Sequence, residues 1–515
     1  MNWGGDSILS IQVIARANQA GLQLTPRQLF EHQTIAGLAA VAGTPTAAKA
    51  EQGSINGVAP LTPIQHRFFE QAVDNRNHWN QALLLEARES LNPDLLEQAF
   101  NHLIQHHDAL RLRFQRQDDQ WQAVHGDHRP LSLRRIDATG DADVETQIVA
   151  HADALQTSLN ITDGPLLRAA WFDFGPDRSA RLLVVVHHLV IDGVSWRVLL
   201  EDLQTVYGQL QSGVAIALPP KTTSFQQWGK HLKAYSQSLP PNQLSQQDLS
   251  SATIPLDFTD GDNTLASAHT LALSLDATET QALLREVPKA YQSQINDVLL
   301  TALLQGMAPW TKSSSLMIEL ENHGRDDFDG QLDLSRTVGW FTAIFPVQLT
   351  LPADSNPGAA LMAVKEQLRR PGRPLDYGVG HYLSTQETNH PEPSLIFNYL
   401  GQFDSSLPEA SLFGLAPESE GRSRDPKTRR RHLLEINGRV LAGQLQLAWT
   451  YSNQCHRQET IAQIAEQTMA ALRALIAHCT SNEAGGYTPS DFPQANLSQT
   501  ALEQVLAQLQ TGEEG

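Results

Sequence analysis

The sequence has few cysteines, no excess of positive charge and no long apolar run, and each shortage excludes a class of protein. Two cysteines in 515 residues, Cys455 and Cys479, cannot form a disulfide framework, which favours a reducing compartment. The net charge of −19 excludes nucleic acid as the main partner, because phosphate binding needs a basic surface. No segment has the roughly 18 uninterrupted apolar residues of a membrane span, and residues 1–20 do not read as a signal peptide. We therefore expect a soluble, cytoplasmic protein that binds neither nucleic acid nor a membrane.

The sequence does contain the apolar residues that packed cores need. Hydrophobic residues make up 41% of the chain and charged residues 18%, which is typical of a folded protein. Its length suggests two to four domains or one large two-lobed domain. Predicted helices alternate with predicted strands along residues 59–492, so we expect an α/β (α+β) fold. The one dense basic run, Arg422 to Arg431, we interpret as a solvated loop.

The stretch around which the chain is organised joins a buried strand to a short turn and a helix. The apolar run 182–186 leads into His187 and His188, then into a turn that carries Asp192, and then into a helix from Trp196. Since adjacent strand residues face opposite ways, only one of the two histidines can point into a given cavity. We expect Asp192 to orient this turn. The alternative is a strand that ends in two histidines without functional meaning.

A second apolar strand, residues 316–320, delivers Glu321 and Arg325 in a similar way. Rigid elements that present ionisable groups are typical of active sites, and the alternative is a solvated turn with a local ion pair. His102 and His106 stand four residues apart on a predicted helix, which is also a zinc-ligand spacing. No acidic third ligand accompanies them, so we predict no metal site there.

The N-terminal residues 1–43 read as short helices, and Ser7 stands at the start of one of them. A helix N-cap is the simplest role for this serine. Residues 44–58 are rich in Ala, Thr, Gly and Ser, which predicts a flexible linker. At the other end of the chain, residues 496–515 predict a short amphipathic helix, with a frayed tail as the alternative.

Several motifs together resemble one known family. The string from His187 to Arg197 resembles the His-His-x-x-x-Asp-Gly motif of the condensation-domain superfamily of nonribosomal peptide synthetases, and its end resembles the epimerization branch. Residues 321–326 resemble that branch's Glu-Gly-His-Gly-Arg-Glu motif, with Asn322 in place of glycine and Asp326 in place of glutamate. Further stretches match in the expected order: 63–65, 78–81, 107–111, 336–347, 374–380, 397–402 and 488–492. Trp3 to Ile8 resembles the attachment motif of a peptidyl carrier protein.

The resemblance implies a fold and a division of the chain. We expect two lobes like chloramphenicol acetyltransferase, arranged as a V with a central tunnel, after a short helical carrier fragment. The predicted parts are a partial peptidyl carrier without its first helix (1–43), a linker (44–58), an N-terminal lobe (59–225), a C-terminal lobe (226–492) and a tail with a docking helix (493–515).

The resemblance also implies which residues form the site. His188 and Glu321 are the implied catalytic residues, and Asp192, Asn398 and Tyr399 the implied supporting ones. In the same way, the carrier motif implies that 4′-phosphopantetheine is attached to a serine, here Ser7. No metal or pyridoxal phosphate is implied.

The implied activity is that of an isomerase that interconverts the L and D configurations at Cα of an aminoacyl or peptidyl thioester on a carrier. The implied partners are the carrier, an upstream adenylation domain, and a condensation domain of the next subunit, recruited by the C-terminal helix. Two alternatives stay open: a condensation domain that forms a peptide bond, and a docking module without catalysis.

Overall fold

The structure is a computed structural model. It describes residues 13–18, 20–22, 24, 28–29, 32, 34–43, 50–139, 143–239, 254–326, 328, 330, 332–353, 356–369, 372–384, 392–402, 411–482, 484–492, 494–495 and 497–512. Ser7 lies outside these residues, and so does most of the predicted carrier motif.

Fourteen strands in the described residues form three sheets. In chain order they are β1 (Gly57–Ala59), β2 (Asn80–Ala87), β3 (Leu112–Gln117), β4 (Gln120–His125), β5 (Arg134–Asp137), β6 (Leu167–Asp173), β7 (Arg181–His187), β8 (Ala268–Ser274), β9 (Ser315–Asn322), β10 (Ala343–Thr350), β11 (Leu395–Gln402), β12 (Phe413–Leu415), β13 (Leu434–Leu441) and β14 (Gln444–Ser452). The sheet orders are β12-β2-β7-β6-β5, β10-β9-β11-β13-β14-β8 and β1-β4-β3.

Thirteen helices have defined bounds in the described part of the chain. They are α1 (Ile35–Val41), α2 (Pro63–Glu70), α3 (Pro93–His106), α4 (Val144–Gln156), α5 (Gly193–Gln211), α6 (Phe225–Ser236), α7 (Ala277–Arg285), α8 (Val287–Tyr291), α9 (Ile295–Thr311), α10 (Pro357–Leu368), α11 (Pro374–Tyr382), α12 (Gln458–Cys479) and α13 (Gln499–Gly512). None of these helices is long and apolar enough to cross a bilayer.

The first lobe is built on the five-stranded sheet. Its central strand β7 is buried along almost its whole length, because residues 182–186 are apolar on both faces. One face packs on a large core that includes α3 and α5, and the other on a smaller core that includes α4. Helix α5 begins directly after the turn that follows β7, and Asp192 caps it by accepting a hydrogen bond from Ser195 N at 2.7 Å.

The second lobe is built on the six-stranded sheet and has its own core. Strand β9 pairs with β10 in antiparallel register, so that Glu321 lies opposite Ile344. Helices α9 and α12 cover this sheet and bury apolar residues such as Leu303 and Leu472. Cys455 and Cys479 are both buried and unpaired, as expected for a protein without a disulfide framework.

The two lobes are joined by more than the chain connection between them. Strand β12 comes after β11 of the second lobe, yet it forms the edge of the first-lobe sheet by pairing with β2. The following residues stay on the first lobe, where Ser423 O accepts a hydrogen bond from Asn80 N at 2.8 Å. The segment between β12 and β13 therefore spans the gap between the lobes.

The N-terminal region has a small apolar cluster of its own, formed by Ile14, Leu24, Leu29 and Leu38. Thr34 caps α1, and its side chain accepts a hydrogen bond from Gly37 N. Residues 50–58, predicted as part of the linker, lie against the first lobe: Ile55 is buried, and β1 pairs with β4. The domain boundaries given above remain a prediction.

Candidate active site

A cavity of about 270 Å³ between the two lobes contains the strand ends that the sequence singles out. His188, just after β7 of the first lobe, lines this cavity, and so does Glu321, near the end of β9 of the second lobe. Asn398 on β11 lines it too. Side chains from distant parts of the sequence therefore face the same cavity.

The two adjacent histidines point in different directions. His187 is fully buried, where its Nε2 donates to the carbonyl of Arg76 at 2.8 Å and its Nδ1 accepts from Leu189 N at 3.2 Å. His188 faces the cavity and lies against Trp340, with ring centroids 4.2 Å apart. His187, the last residue of β7, therefore belongs to the scaffold, and His188, the first residue of the turn that follows, belongs to the site.

The hydrogen bonds around His188 specify its tautomer. Trp196 Nε1 donates to Gln81 Oε1 at 2.8 Å, which leaves Gln81 Nε2 to donate to His188 Nε2 at 3.0 Å. His188 Nδ1 carries the proton and donates to the carbonyl of Ile191 at 2.9 Å. Burial, followed by the positive charge of Arg424, lowers the pKa of His188 to about 4. At neutral pH His188 is therefore an uncharged base with its lone pair on Nε2.

The pKa of Glu321 is shifted in the opposite direction, upward. Burial, and after it the negative charge of Glu319, raise the pKa of this carboxyl group to about 7 against the opposing effect of Arg424. Asn398 Nδ2 donates to Glu321 Oε2 at 2.9 Å and holds the carboxyl group in place. A group with a pKa near 7 is suited to both giving and taking a proton.

Glu319 is the ionised neighbour of Glu321 on the same face of β9. It accepts hydrogen bonds from Arg67 Nη2 at 2.5 Å and from His432 Nε2 at 2.6 Å. These partners, with Arg67 contributed by the first lobe, hold the pKa of Glu319 at about 2 despite its burial. Two carboxyl groups on one strand thus have pKa values that differ widely, a pattern typical of acid–base sites.

Asp192 joins the two lobes and makes no hydrogen bond to His188. It accepts from Arg325 Nη2 at 3.0 and 3.2 Å and from Phe341 N at 3.1 Å, in addition to capping α5. Ser195 Oγ accepts from the same Arg325 nitrogen at 2.9 Å. Asp192 therefore fixes the start of α5 against the second lobe, and its effect on the His188 turn is indirect.

The loop after β9 needs one glycine. Gly324 has φ +65°, and a Cβ atom there would lie 1.8 Å from the carbonyl oxygen of Phe341. Asn322, which replaces the family's glycine, is not in the left-handed region, and its Oδ1 accepts from Gly324 N at 3.1 Å. The substitution at position 322 is therefore compatible with this loop.

Two sequence interpretations change in the structure, and one contact was missed in the sequence. Tyr399 does not line the cavity, because it follows Asn398 on a strand and packs instead against the second-lobe core. The basic run is only partly a solvated loop: Arg422 is exposed, whereas Arg424 and Arg430 line the cavity, and Arg430 is buried. Gln81, which the sequence gives only as part of a motif, contacts His188 directly. The one available signal was its place in a motif that leads into a predicted strand.

The histidines with zinc-ligand spacing do not come together. His102 is exposed, whereas His106 lies near His107 and Asp202, a group whose ligand atoms are within 4.8 Å of one another among the described residues. The Asp202 carboxylate is already shared between His107 Nε2, at 3.0 Å, and the guanidinium of Arg336. Asp202 is therefore part of a buried hydrogen-bonded network. A metal ion bound here would have to compete with Arg336 for the Asp202 carboxylate.

Comparison with known proteins agrees with this geometry. The family model for the condensation domain matches residues 55–498. The chain belongs to the condensation-domain family. The crystal structure of the epimerization domain from the third module of tyrocidine synthetase B is similar, with a TM-score of 0.78 and 32% identity over 84% of this chain and 99% of that one. The X-domain from teicoplanin biosynthesis has the same fold, with a TM-score of 0.65 and 20% identity over 84% of this chain and 98% of that one. These likenesses confirm the predicted fold of two acetyltransferase-like lobes.

The longer relatives of this chain are synthetases. The chain is 44% identical to one of the linear gramicidin synthase proteins of Brevibacillus parabrevis, over 97% of this chain, and 45% identical to chondramide synthase cmdD of Chondromyces crocatus, over 98%. It spans 10% and 13% of the length of these relatives. The family model for a phosphopantetheine attachment site matches residues 1–42, so the predicted 4′-phosphopantetheine cofactor is confirmed at the level of the domain. Its attachment to Ser7 remains a prediction.

Proposed function

We propose that this protein is an isomerase that inverts Cα of an aminoacyl or peptidyl thioester, with His188 and Glu321 acting on opposite faces of that carbon. The observation that carries the proposal is their convergence, from separate lobes, on one cavity in which Glu321 has a pKa of about 7. Binding pockets of this kind enclose a small group and orient it with a few polar side chains.

Inversion requires one proton to leave Cα and another to arrive from the opposite face. Removal of the first proton gives a planar, enolate-like thioester, and protonation from the other side gives the opposite configuration. The site must therefore hold one base and one acid at the same time. His188 and Glu321 together must carry one transferable proton, because with two protons the pair contains no base and with none it contains no acid.

The pKa values specify where that proton rests. Since the pKa of Glu321 is about 7 and that of His188 about 4, the one-proton state has the proton on Glu321. From this state the Gln81 hydrogen bond to His188 Nε2 opens, and Nε2 then takes the Cα proton while Glu321 delivers its own to the other face. The reverse reaction uses the reciprocal state, with protonated His188 and ionised Glu321. Asn398 keeps the Glu321 carboxyl group aimed at the cavity in both directions.

The first alternative, peptide-bond formation, needs the same histidine but has no use for a carboxyl group with a raised pKa opposite it. The second alternative, a docking module without catalysis, has no need for the Trp196–Gln81–His188 relay. The 32% identity to an epimerization domain also favours inversion.

The decisive assay presents an aminoacyl thioester on an intact carrier protein to this chain in D₂O. We expect deuterium at Cα and a mixture of L and D residues after hydrolysis. When a second loaded carrier is present, amide product without inversion would establish condensation instead. Neither inversion nor amide would favour the docking module.

The proposed partners follow from the same family. They are the phosphopantetheinylated carrier, with Ser7 as the attachment residue in this chain, an adenylation domain upstream, and a condensation domain of the next subunit. Helix α13 is the proposed docking element for the last of these: Leu502 is buried, whereas Val505 on the same helix is 42% exposed. A truncation after residue 498 tests this role, since it should abolish transfer to the downstream subunit and leave inversion intact.

A further inference from the structure

One cation in the cavity has no acceptor among the described residues. The guanidinium of Arg424 lines the same space as His188 and Glu321, and its Cζ lies 4.1 Å from the ring centroid of Trp79. Within the described part of the chain it makes no hydrogen bond and no ion pair. Because arginine has five N–H donors and stays protonated, Arg424 offers a charged donor group to whatever enters the cavity.

The backbone of Arg424 is fixed to the first lobe. Arg424 and Trp79 form an isolated antiparallel bridge, so the arginine is held beside the start of the strand that carries Gln81. The hydrogen bonds on either side are Asn80 N to Ser423 O, 2.8 Å, and Asp425 N to His78 O, 3.3 Å. The position of the guanidinium is thus set by the same strand that orients His188.

The other arginines around the cavity have acceptors. Arg67 is paired with Glu319, Arg429 with Asp262, Arg430 with Glu435, and Arg431 with Glu392. Their charges are compensated before any ligand binds. Arg424 differs from all four of them, since the charges it faces, Glu321 and Glu435, act on it through space without a hydrogen bond.

The proposed reaction leaves one charge without a partner. When the Cα–H bond breaks, its electron pair forms the C=C bond of the enolate, and the carbonyl electrons move onto the thioester oxygen. A neutral Gln81 or Asn398 cannot balance this charge, and both already have partners. A desolvated cation positioned before the reaction stabilises a developing oxyanion strongly. Arg424 also lies close enough to lower the pKa values of both His188 and Glu321, so its field covers the space between them.

We propose that Arg424 is a further catalytic residue, whose guanidinium donates a hydrogen bond to the thioester oxygen and stabilises the enolate. The inference rests on the proposed isomerase function. The bond is made to the carbonyl in the ground state and strengthens as negative charge accumulates on oxygen. When the acid protonates the opposite face of Cα, the carbonyl is restored and the protein retains the same total number of protons.

The test compares Arg424→Gln and Arg424→Lys with Arg422→Gln. Arg422 is a matched control because it lies in the same loop but points to solvent, where it pairs with Asp153. The assay follows deuterium uptake at Cα of a carrier-bound thioester while carrier concentration is varied. We expect Arg424→Gln to lower kcat about 100- to 1000-fold and to leave KM within about threefold. Arg424→Lys should retain part of the rate, because it keeps the charge and loses the planar fork. Arg422→Gln should keep the native kcat.

Two more readouts distinguish catalysis from a structural role. Loss of the Arg424 charge should move both limbs of the pH–rate profile to higher pH, because that charge lowers both pKa values. Added guanidinium ion should restore part of the rate to Arg424→Ala, which keeps the test informative if the glutamine variant does not fold.

A folded Arg424→Gln protein with a native kcat would overturn the inference and leave the isomerase proposal standing. An effect on KM alone would also overturn it, because it would show that Arg424 binds a fixed anionic group. Equal losses in Arg422→Gln and Arg424→Gln would assign the effect to the loop. Absence of exchange by the unaltered protein would reject the isomerase proposal and this inference with it.

Discussion

Arg325 of the second lobe donates to both carboxylate oxygens of Asp192 in the first lobe, at 3.0 and 3.2 Å, and both side chains are buried. The same guanidinium donates through Nη1 to the carbonyls of Leu334 and Thr337. A buried charge that loses its partner is strongly destabilising, so Asp192→Ala should lower the free energy of unfolding by about 3–5 kcal/mol. Urea denaturation measures this directly.

The exposed ion pair between Arg422 and Asp153 is the control for that experiment. Exposed pairs contribute little, because water already solvates both charges. Arg422→Gln should therefore be clearly less destabilising than Asp192→Ala. Similar decreases in the free energy of unfolding in the two variants would show that the buried pair between the lobes contributes no more than an exposed one.

Gln81 holds His188 in its neutral tautomer, which gives a prediction for Gln81→Glu. A carboxylate can still accept from Trp196 Nε1, but it cannot donate to His188 Nε2. It would favour the protonated imidazole, so the acidic limb of the pH–rate profile should move up from about 4. Stopped-assay rates between about pH 3 and 9 reveal the shift, with Gln204→Glu, on α5 and away from the cavity, as the control. An unchanged limb would mean that Gln81 does not control this proton.

Glu319 contributes negative charge beside Glu321, so Glu319→Gln should lower the pKa of Glu321. Arg67 would then face the site without its carboxylate partner, and its positive charge acts in the same direction. The alkaline limb of the pH–rate profile should move below its native position. A shift to higher pH would contradict the electrostatic assignment.

The rate itself should depend on pH as a bell with limbs near 4 and 7. Below the lower limb both His188 and Glu321 are protonated and no base remains; above the upper limb neither is protonated and no acid remains. Because both one-proton states carry the same total charge, the L-to-D and D-to-L directions should show the same two limbs. Measurement of kcat/KM in both directions checks this. A single limb would indicate that one group does all the proton transfer.

How much of this site is predictable from sequence depends on how far apart along the chain the residues of each contact lie. The strands that lead to His188 and Glu321 are visible as local apolar runs, and Asp192 is visible as a residue of the turn before α5. Strand alternation also anticipates that His187 and His188 separate, and the same rule, applied to Asn398, removes Tyr399 from the cavity.

The contacts that sequence does not reveal join elements far apart in the chain. Gln81 reaches His188 only because β2 pairs with β7 in one particular register. Arg424 enters the cavity only because the segment after β12 stays on the first lobe. Charge density alone made the stretch around it look like a solvated loop, since composition carries no information about which distant strand a segment will join.

The most direct test of the two-faced site is epimer-specific exchange in D₂O. Carrier-bound L and D thioesters are supplied separately to the unaltered protein, to His188→Ala and to Glu321→Gln, and both label and configuration at Cα are recorded. We expect each substitution to abolish inversion, and the residual exchange without inversion to be confined to one epimer in His188→Ala and to the other in Glu321→Gln. Inversion at an unchanged rate in either variant, or residual exchange from the same epimer in both, would contradict the placement of these two groups on opposite faces of Cα.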